Sequence, residues 1–171
     1  MKKILFALII INLYSFSVKA QNEKMKSSNP LVLSFGVDFG KPLGANSSLS
    51  SFVIGGDLQV RYGVSENFSV TASAGIDARL NKGGVVNTIY YAPMLGGLRY
   101  YFIPSIYISE QAGYSLGLTK NLKGAFTNVA GLGFKLSKSS DILLAYKGVY
   151  NTGGATNFNT FALRVAYVFG K

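Results

Sequence analysis

FVIGGDLQVRY, residues 52–62, alternates without a break. Phe52, Ile54, Leu58, Val60 and Tyr62 fall on one face, with Gly55, Asp57, Gln59 and Arg61 on the other. A period of two belongs to a β-strand, whose successive side chains point to opposite sides. The apolar face puts its aromatics at the two ends and its aliphatics in the middle. At about 3.3 Å per residue and a tilt of about 40°, the run from Phe52 to Tyr62 covers roughly 25 Å of height. That is the height of the lipid-facing band of a membrane barrel, with an aromatic girdle at each interface. A soluble barrel reverses the arrangement, with its apolar side chains inside.

Seven further segments follow the same rule. PLVLSFGVDF begins at Pro30, FSVTASAGID at Phe68, YYAPMLGGLRYYF at Tyr90 and IYISEQAGYSL at Ile106. FTNVAGLGFKL, ILLAYKGVY and FALRVAYVFGK complete the set. If successive strands run up and down, Phe39, Phe52, Tyr90, Tyr114, Phe126, Tyr150 and Phe161 share one level. Tyr62, Phe68, Tyr100, Phe102, Phe134, Tyr167 and Phe169 share the other. The reading is all-β: an eight-stranded antiparallel up-and-down transmembrane β-barrel over 30–171. Links near 40–51, 80–88, 117–124 and 151–159 are longer than those near 63–67, 103–105 and 137–141. Such alternation suits a barrel with both termini periplasmic and its longer loops outside. Lipid offers no partner to a free strand edge, so the first and eighth strands must pair.

The chain opens MKKILFALIIINLYSFSVKA, which reads as a cleaved signal peptide over 1–20. Lys2 and Lys3 precede an apolar core from Ile4 to Leu13, and Val18-Lys19-Ala20 offers a processing site. A retained membrane anchor is the competing reading, disfavoured by the shortness of the apolar block. A polar lead-in, QNEKMKSSN, occupies 21–29. Removing the leader takes away Lys2, Lys3 and Lys19, so 17 basic residues become 14 against 7 acidic, a net charge of +7. In an exported protein that balance points to anionic lipid and glycan rather than nucleic acid. The chain has no cysteine, which excludes disulfides and a lipoprotein anchor.

With eight segments of this kind, the chain resembles the small outer-membrane β-barrels of the OmpA/OmpX-like class, and more closely the barrel-domain proteins common in the Bacteroidota. The resemblance covers roughly residues 30 to 169. It is carried most specifically by YYAPMLGGLRYYF and IPSIYISEQAGYSLG, similar to the family's proline–glycine strand, its turn and the following strand. The ending VAYVF resembles the C-terminal signal read by the barrel assembly machinery, with Tyr167 and Phe169 as its aromatics. It departs from that signal at Arg164, where glycine is frequent, and in the trailing Gly170-Lys171. The resemblance implies a porin-like protein of a Gram-negative outer membrane, in contact with lipid and lipopolysaccharide.

An eight-stranded lumen is only wide enough for side chains to fill. Alternation sends Asp38, Asp57, Gln59, Arg61, Asp77, Arg99, Lys135, Lys147 and Arg164 inward. Buried charges persist when paired, so these form an internal network in which Arg164 or Lys147 is expected to meet Asp57 or Asp38. Glu110 breaks the pattern by falling on the apolar face. A local bulge turning it inward toward Arg99 is the preferred expectation, and contact with a partner protein the other. Lys41, Arg79, Lys82, Lys120 and Lys123 are assigned to basic outer loops that carry no acid, suited to phosphates of lipopolysaccharide or an anionic polymer.

Enzymatic readings lack their usual base, because the chain contains no histidine. No cofactor or metal motif is present: Gly131-Leu132-Gly133 lies in a strand with no following helix. The sequence therefore points to a non-enzymatic barrel with a structural, surface-interaction or envelope-assembly role. A narrow ion or small-solute channel and a soluble periplasmic ligand-binding barrel are the alternatives.

Overall fold

A computed structural model describes residues 31–47, 50–82, 88–120, 122–151 and 157–169. The leader assigned to 1–20, the lead-in at 21–29 and Gly170-Lys171 lie outside the described residues. Eight strands follow one another: β1 (Leu31–Leu43), β2 (Ser50–Gly63), β3 (Phe68–Asn81), β4 (Ile89–Ile103), β5 (Ile106–Gly117), β6 (Ala125–Lys135), β7 (Ser140–Asn151) and β8 (Phe158–Val168). Each pairs antiparallel with its neighbours, and β1 closes on β8 from Ser34↔Val168 to Leu43↔Asn159. Closure leaves no strand edge with unpaired backbone groups, which a lipid environment would penalise heavily.

The register sets the shape. Followed from strand to strand, the partners of Leu33 lead once around the barrel to Leu43, ten residues further along β1. That displacement makes the strands tilt, by about 40° for barrels of this size. One ladder has a gap: β3 and β4 pair at Ala74↔Met94 and again at Asp77↔Tyr91, without a shift of register. Pro93 lies in the gap and has no N–H to give.

Alternation separates two environments. Leu58, Met94, Phe126, Leu144 and Val165 stand exposed on the outer wall, while their neighbours Gln59, Leu95, Thr127, Leu143 and Arg164 are buried in the lumen. At the end of the barrel that carries the chain termini, the connections are short: 64–67, 104–105 and 136–139. The opposite, loop end has the longer ones, 44–49, 82–88, 118–124 and 152–157. Tyr100 and Phe102 meet edge-to-face at 5.2 Å, as do Tyr167 and Phe169, at the termini end of the outer wall.

Candidate functional site: a charged lumen closed at both ends

At the loop end, Val53, Tyr91, Ala125, Val149 and Phe158 turn inward and pack into an apolar lid, with Ile89 and Leu122 against it. Arg79 belongs to this lid. It was expected in a loop, but β3 continues past it to Asn81 and alternation aims it into the mouth of the barrel. Its guanidinium stacks 3.6 Å from the Phe158 ring centroid and its Nε donates to Ser50 Oγ at 2.6 Å. Lys41 is likewise a strand residue, although exposed, because β1 runs on to Leu43. Lys82, Lys120 and Lys123 lie in the connections and are exposed.

Below the lid is a cavity of about 50 Å³ lined by Asp38, Asp57, Asp77, Lys147 and Arg164 among others. Such a volume admits a few water molecules, each needing roughly 10–15 Å³. Arg164 lays its guanidinium on Asp57 in a two-pronged contact, Nε to Oδ1 at 2.7 Å and Nη2 to Oδ2 at 2.8 Å. The planar fork of arginine matches the two carboxylate oxygens. Gly36 on β1 clears the way, since a Cβ there would collide with the Arg164 guanidinium. Lys147 donates to Asp77, and Asp38 stands in register with Arg164 on the neighbouring strand.

A polar plug closes the termini end. Asp141, 3 % exposed, is its hub. Arg99 Nη1 donates to Asp141 Oδ2 at 3.0 Å, Tyr107 Oη donates to Oδ1, and Arg61 Nη1 stands 3.9 Å from Oδ2. Arg99 also donates to Gln59, and Arg61 to Tyr101 Oη at 2.8 Å. The Arg99 guanidinium lies 4.4 Å from the Tyr107 ring centroid and Lys135 Nζ lies 4.3 Å from that of Tyr101. Arg99 is 1 % exposed and Tyr107 0 %, so side chains fill this cross-section.

The eight luminal charges named from alternation thus divide into two groups. Asp38, Asp57, Asp77, Lys147 and Arg164 share the cavity; Arg61, Arg99 and Lys135 belong to the plug. Asp141 escaped the sequence reading because it was placed in the turn before β7, although it shares parity with Leu143 and Lys147. Tyr101 and Tyr107 are missing from the inward set because that set holds only charged side chains and Gln59. The parity of Tyr101 with Arg99 was the signal that could have found it.

Glu110 does not turn inward. It is exposed on the outer wall, in unbroken register with Leu98 on β4 and Ala130 on β6. The irregularity in the β4–β5 ladder lies instead at Tyr101/Ile103, near the hairpin. Among the described residues, no three or more His, Cys, Asp or Glu side chains gather as a metal would require.

A closed up-and-down sheet with an apolar exterior and a packed, charged interior defines the class: the small eight-stranded transmembrane β-barrel. No family model matches the sequence, and no curated protein is recognisably similar to it. Solved structures share the fold. Ail, the attachment invasion locus protein of Yersinia pestis, crystallised with the heparin analogue sucrose octasulfate, has a TM-score of 0.57 at 17% identity, over 81% of this chain and 97% of that one. The N-terminal β-barrel domain of Pseudomonas aeruginosa OprF has a TM-score of 0.53 at 12% identity, over 81% and 97%. A de novo designed transmembrane β-barrel has a TM-score of 0.54 at 18% identity, over 82% and 98%.

Proposed function

We propose that the chain is a non-enzymatic outer-membrane barrel that acts through its surfaces, in surface contact or envelope integrity, and not through its lumen. The observation that carries this is the double closure of the lumen, by the Val53–Tyr91–Phe158 lid at one end and the Arg99–Asp141–Tyr107 plug at the other. A channel needs a continuous path, and a soluble ligand-binding barrel needs a polar exterior; this wall is Leu, Val, Ile and aromatic. The absence of histidine and cysteine from the chain supports the non-enzymatic reading.

The orientation that fits is termini in the periplasm and long loops outside, after export on the 1–20 leader and insertion by the assembly machinery reading Tyr167 and Phe169. The outer loops then present Lys82, Lys120 and Lys123, with Lys41 beside them on the wall, to lipopolysaccharide phosphates or a sulfated glycan. These connections contain no acid to oppose them. Ail, crystallised with a sulfated sugar, supplies a precedent among barrels of this shape.

Two measurements test the membrane barrel and its closed lumen. In gel electrophoresis the protein should migrate faster unboiled than boiled, and in planar bilayers it should pass no steady current. Loss of the heat shift would refute the membrane barrel, and sustained single-channel current would refute the closed lumen. For the surface role, vesicles containing the protein should bind immobilised heparin in a salt-dependent manner. Lys82→Glu with Lys120→Glu and Lys123→Glu should abolish that binding while keeping the heat shift.

A further inference from the structure

Glu110 lies four residues along β5 from both Ile106 and Tyr114 on the outer wall. That puts it about 10 Å of height from each, near the middle of the lipid-facing band and beyond reach of either leaflet's headgroups. No ion pair or hydrogen bond reaches its carboxyl among the described residues. An acidic group on the lipid face of a barrel is destabilising, most at the midplane. Ionisable groups at such depth belong to a site, with a partner, rather than to bare lipid.

A second polar side chain shares this wall. Asn128 on β6 lies over Gly148, its Oδ1 covered and without a hydrogen-bond partner. Such an orphaned acceptor costs about 1–3 kcal/mol where it rests. Rotation outward would give it access to a mate. Ala112 links the two residues: it is two positions beyond Glu110 on β5 and in register with Asn128. Because the register climbs toward the loop end from β1 to β8, the step along the strand and the step across it lean opposite ways. With strands about 4.8 Å apart, about 3.3 Å per residue and a tilt of about 40°, their sideways components cancel to within about 1 Å and their heights add to about 8 Å. Glu110 and Asn128 therefore lie one above the other, on a line parallel to the barrel axis. Small residues flank the line, Ala112 on one side and Ala130 on the other, while Gly96 extends the depression onto β4 with nothing near its Cβ position.

We infer that this line is the seam of a homodimer whose two-fold axis runs along the membrane normal. Such an axis brings each residue on the line to its own counterpart at the same height. Two Glu110 carboxyls share a proton in a hydrogen bond, and 8 Å higher, by the estimate above, two Asn128 carboxamides pair N–H to O=C. Polar self-complementarity at two heights selects a second copy over a cationic partner, which would satisfy Glu110 and leave Asn128 unpaired. It also selects it over lipid, which satisfies neither. Across the axis Ala112 faces Ala130 of the second copy, and small side chains let the two walls approach closely.

The chain has no cysteine, so introduced ones report without background. Protein carrying Ala112→Cys, refolded into phospholipid vesicles with an equal amount of Ala130→Cys protein and oxidised, should give a 112–130 cross-linked dimer. Ala112→Cys mixed with Leu58→Cys, on the opposite wall, should give little. Adding Glu110→Leu to both chains should weaken the dimer about tenfold, the effect of one good polar contact in a membrane, whereas Glu110→Gln should preserve it. A 112–130 yield no greater than the Leu58 control would overturn the dimer. A yield unaffected by Glu110→Leu would overturn the role of the polar seam. The inference rests on the membrane-barrel reading, which the heat shift of each variant tests separately.

Discussion

Asp141 is the side chain on which most of the lumen's polar order converges. Arg99, Arg61 and Tyr107 all point at it, and burial leaves none of them an alternative partner in water. Removing one member of a buried pair strands the other, which costs about 3–5 kcal/mol. Asp141→Ala should lower unfolding stability in urea by roughly that amount, whereas Glu66→Ala, in an exposed turn, should stay within about 0.5 kcal/mol of wild type. The Arg164–Asp57 pair behaves differently because it lines a cavity that admits water. Arg164→Met and Asp57→Leu should each destabilise. Together they should cost less than their sum, because a paired removal leaves no isolated charge between these two strands. A double-mutant cycle with no coupling would show that the contact contributes nothing.

At the scale of a strand, alternation was legible because each one lies between lipid and a packed lumen, so its two faces demand opposite chemistry. That is why the inward set around Asp57 and Arg164 could be read from residues 52–62 and their counterparts. The same logic failed at strand ends. Polar residues at strand ends look like turns, yet β3 extends far enough to turn Arg79 into the mouth of the barrel and β7 far enough to bury Asp141. Glu110 was misjudged for a different reason: its cost suggested a bulge, but the ladders on both sides of β5 run past it undisturbed. Strand pairing is collective, and one unfavourable side chain does not break it. Neighbouring strands also trade volume in ways a single segment cannot reveal. Tyr107 on β5 fills the space that a side chain at Gly133 on β6 would need, so the phenol reaches Asp141 only because position 133 is bare. Gly133→Val should displace that ring and cost about 1–3 kcal/mol, and tyrosine fluorescence should report a more exposed phenol. An unchanged unfolding curve would place the ring elsewhere.

For the whole molecule, the question is how a tilted eight-stranded wall relates to what it encloses. The shear of ten residues sets the lumen's width, and the side chains that fill it are distributed unevenly along the axis. An apolar lid, a small charged chamber and a polar plug follow one another, so two unlike barriers stand in series. Barriers in series predict a specific logic for conduction. Opening either one alone leaves the other intact, so Phe158→Ala with Tyr91→Ala should remain silent in planar bilayers. Arg99→Ala with Tyr107→Ala should remain silent for the same reason. Only the combination of all four should conduct, because only it opens both ends of the chamber lined by Asp57, Asp77, Lys147 and Arg164. Each variant must first show the heat shift of a folded barrel, since loss of the plug also removes buried packing. Current through either two-residue variant would mean that one barrier alone closes the lumen. Silence in the folded four-residue variant would mean that the walls of the chamber close it without help from either end.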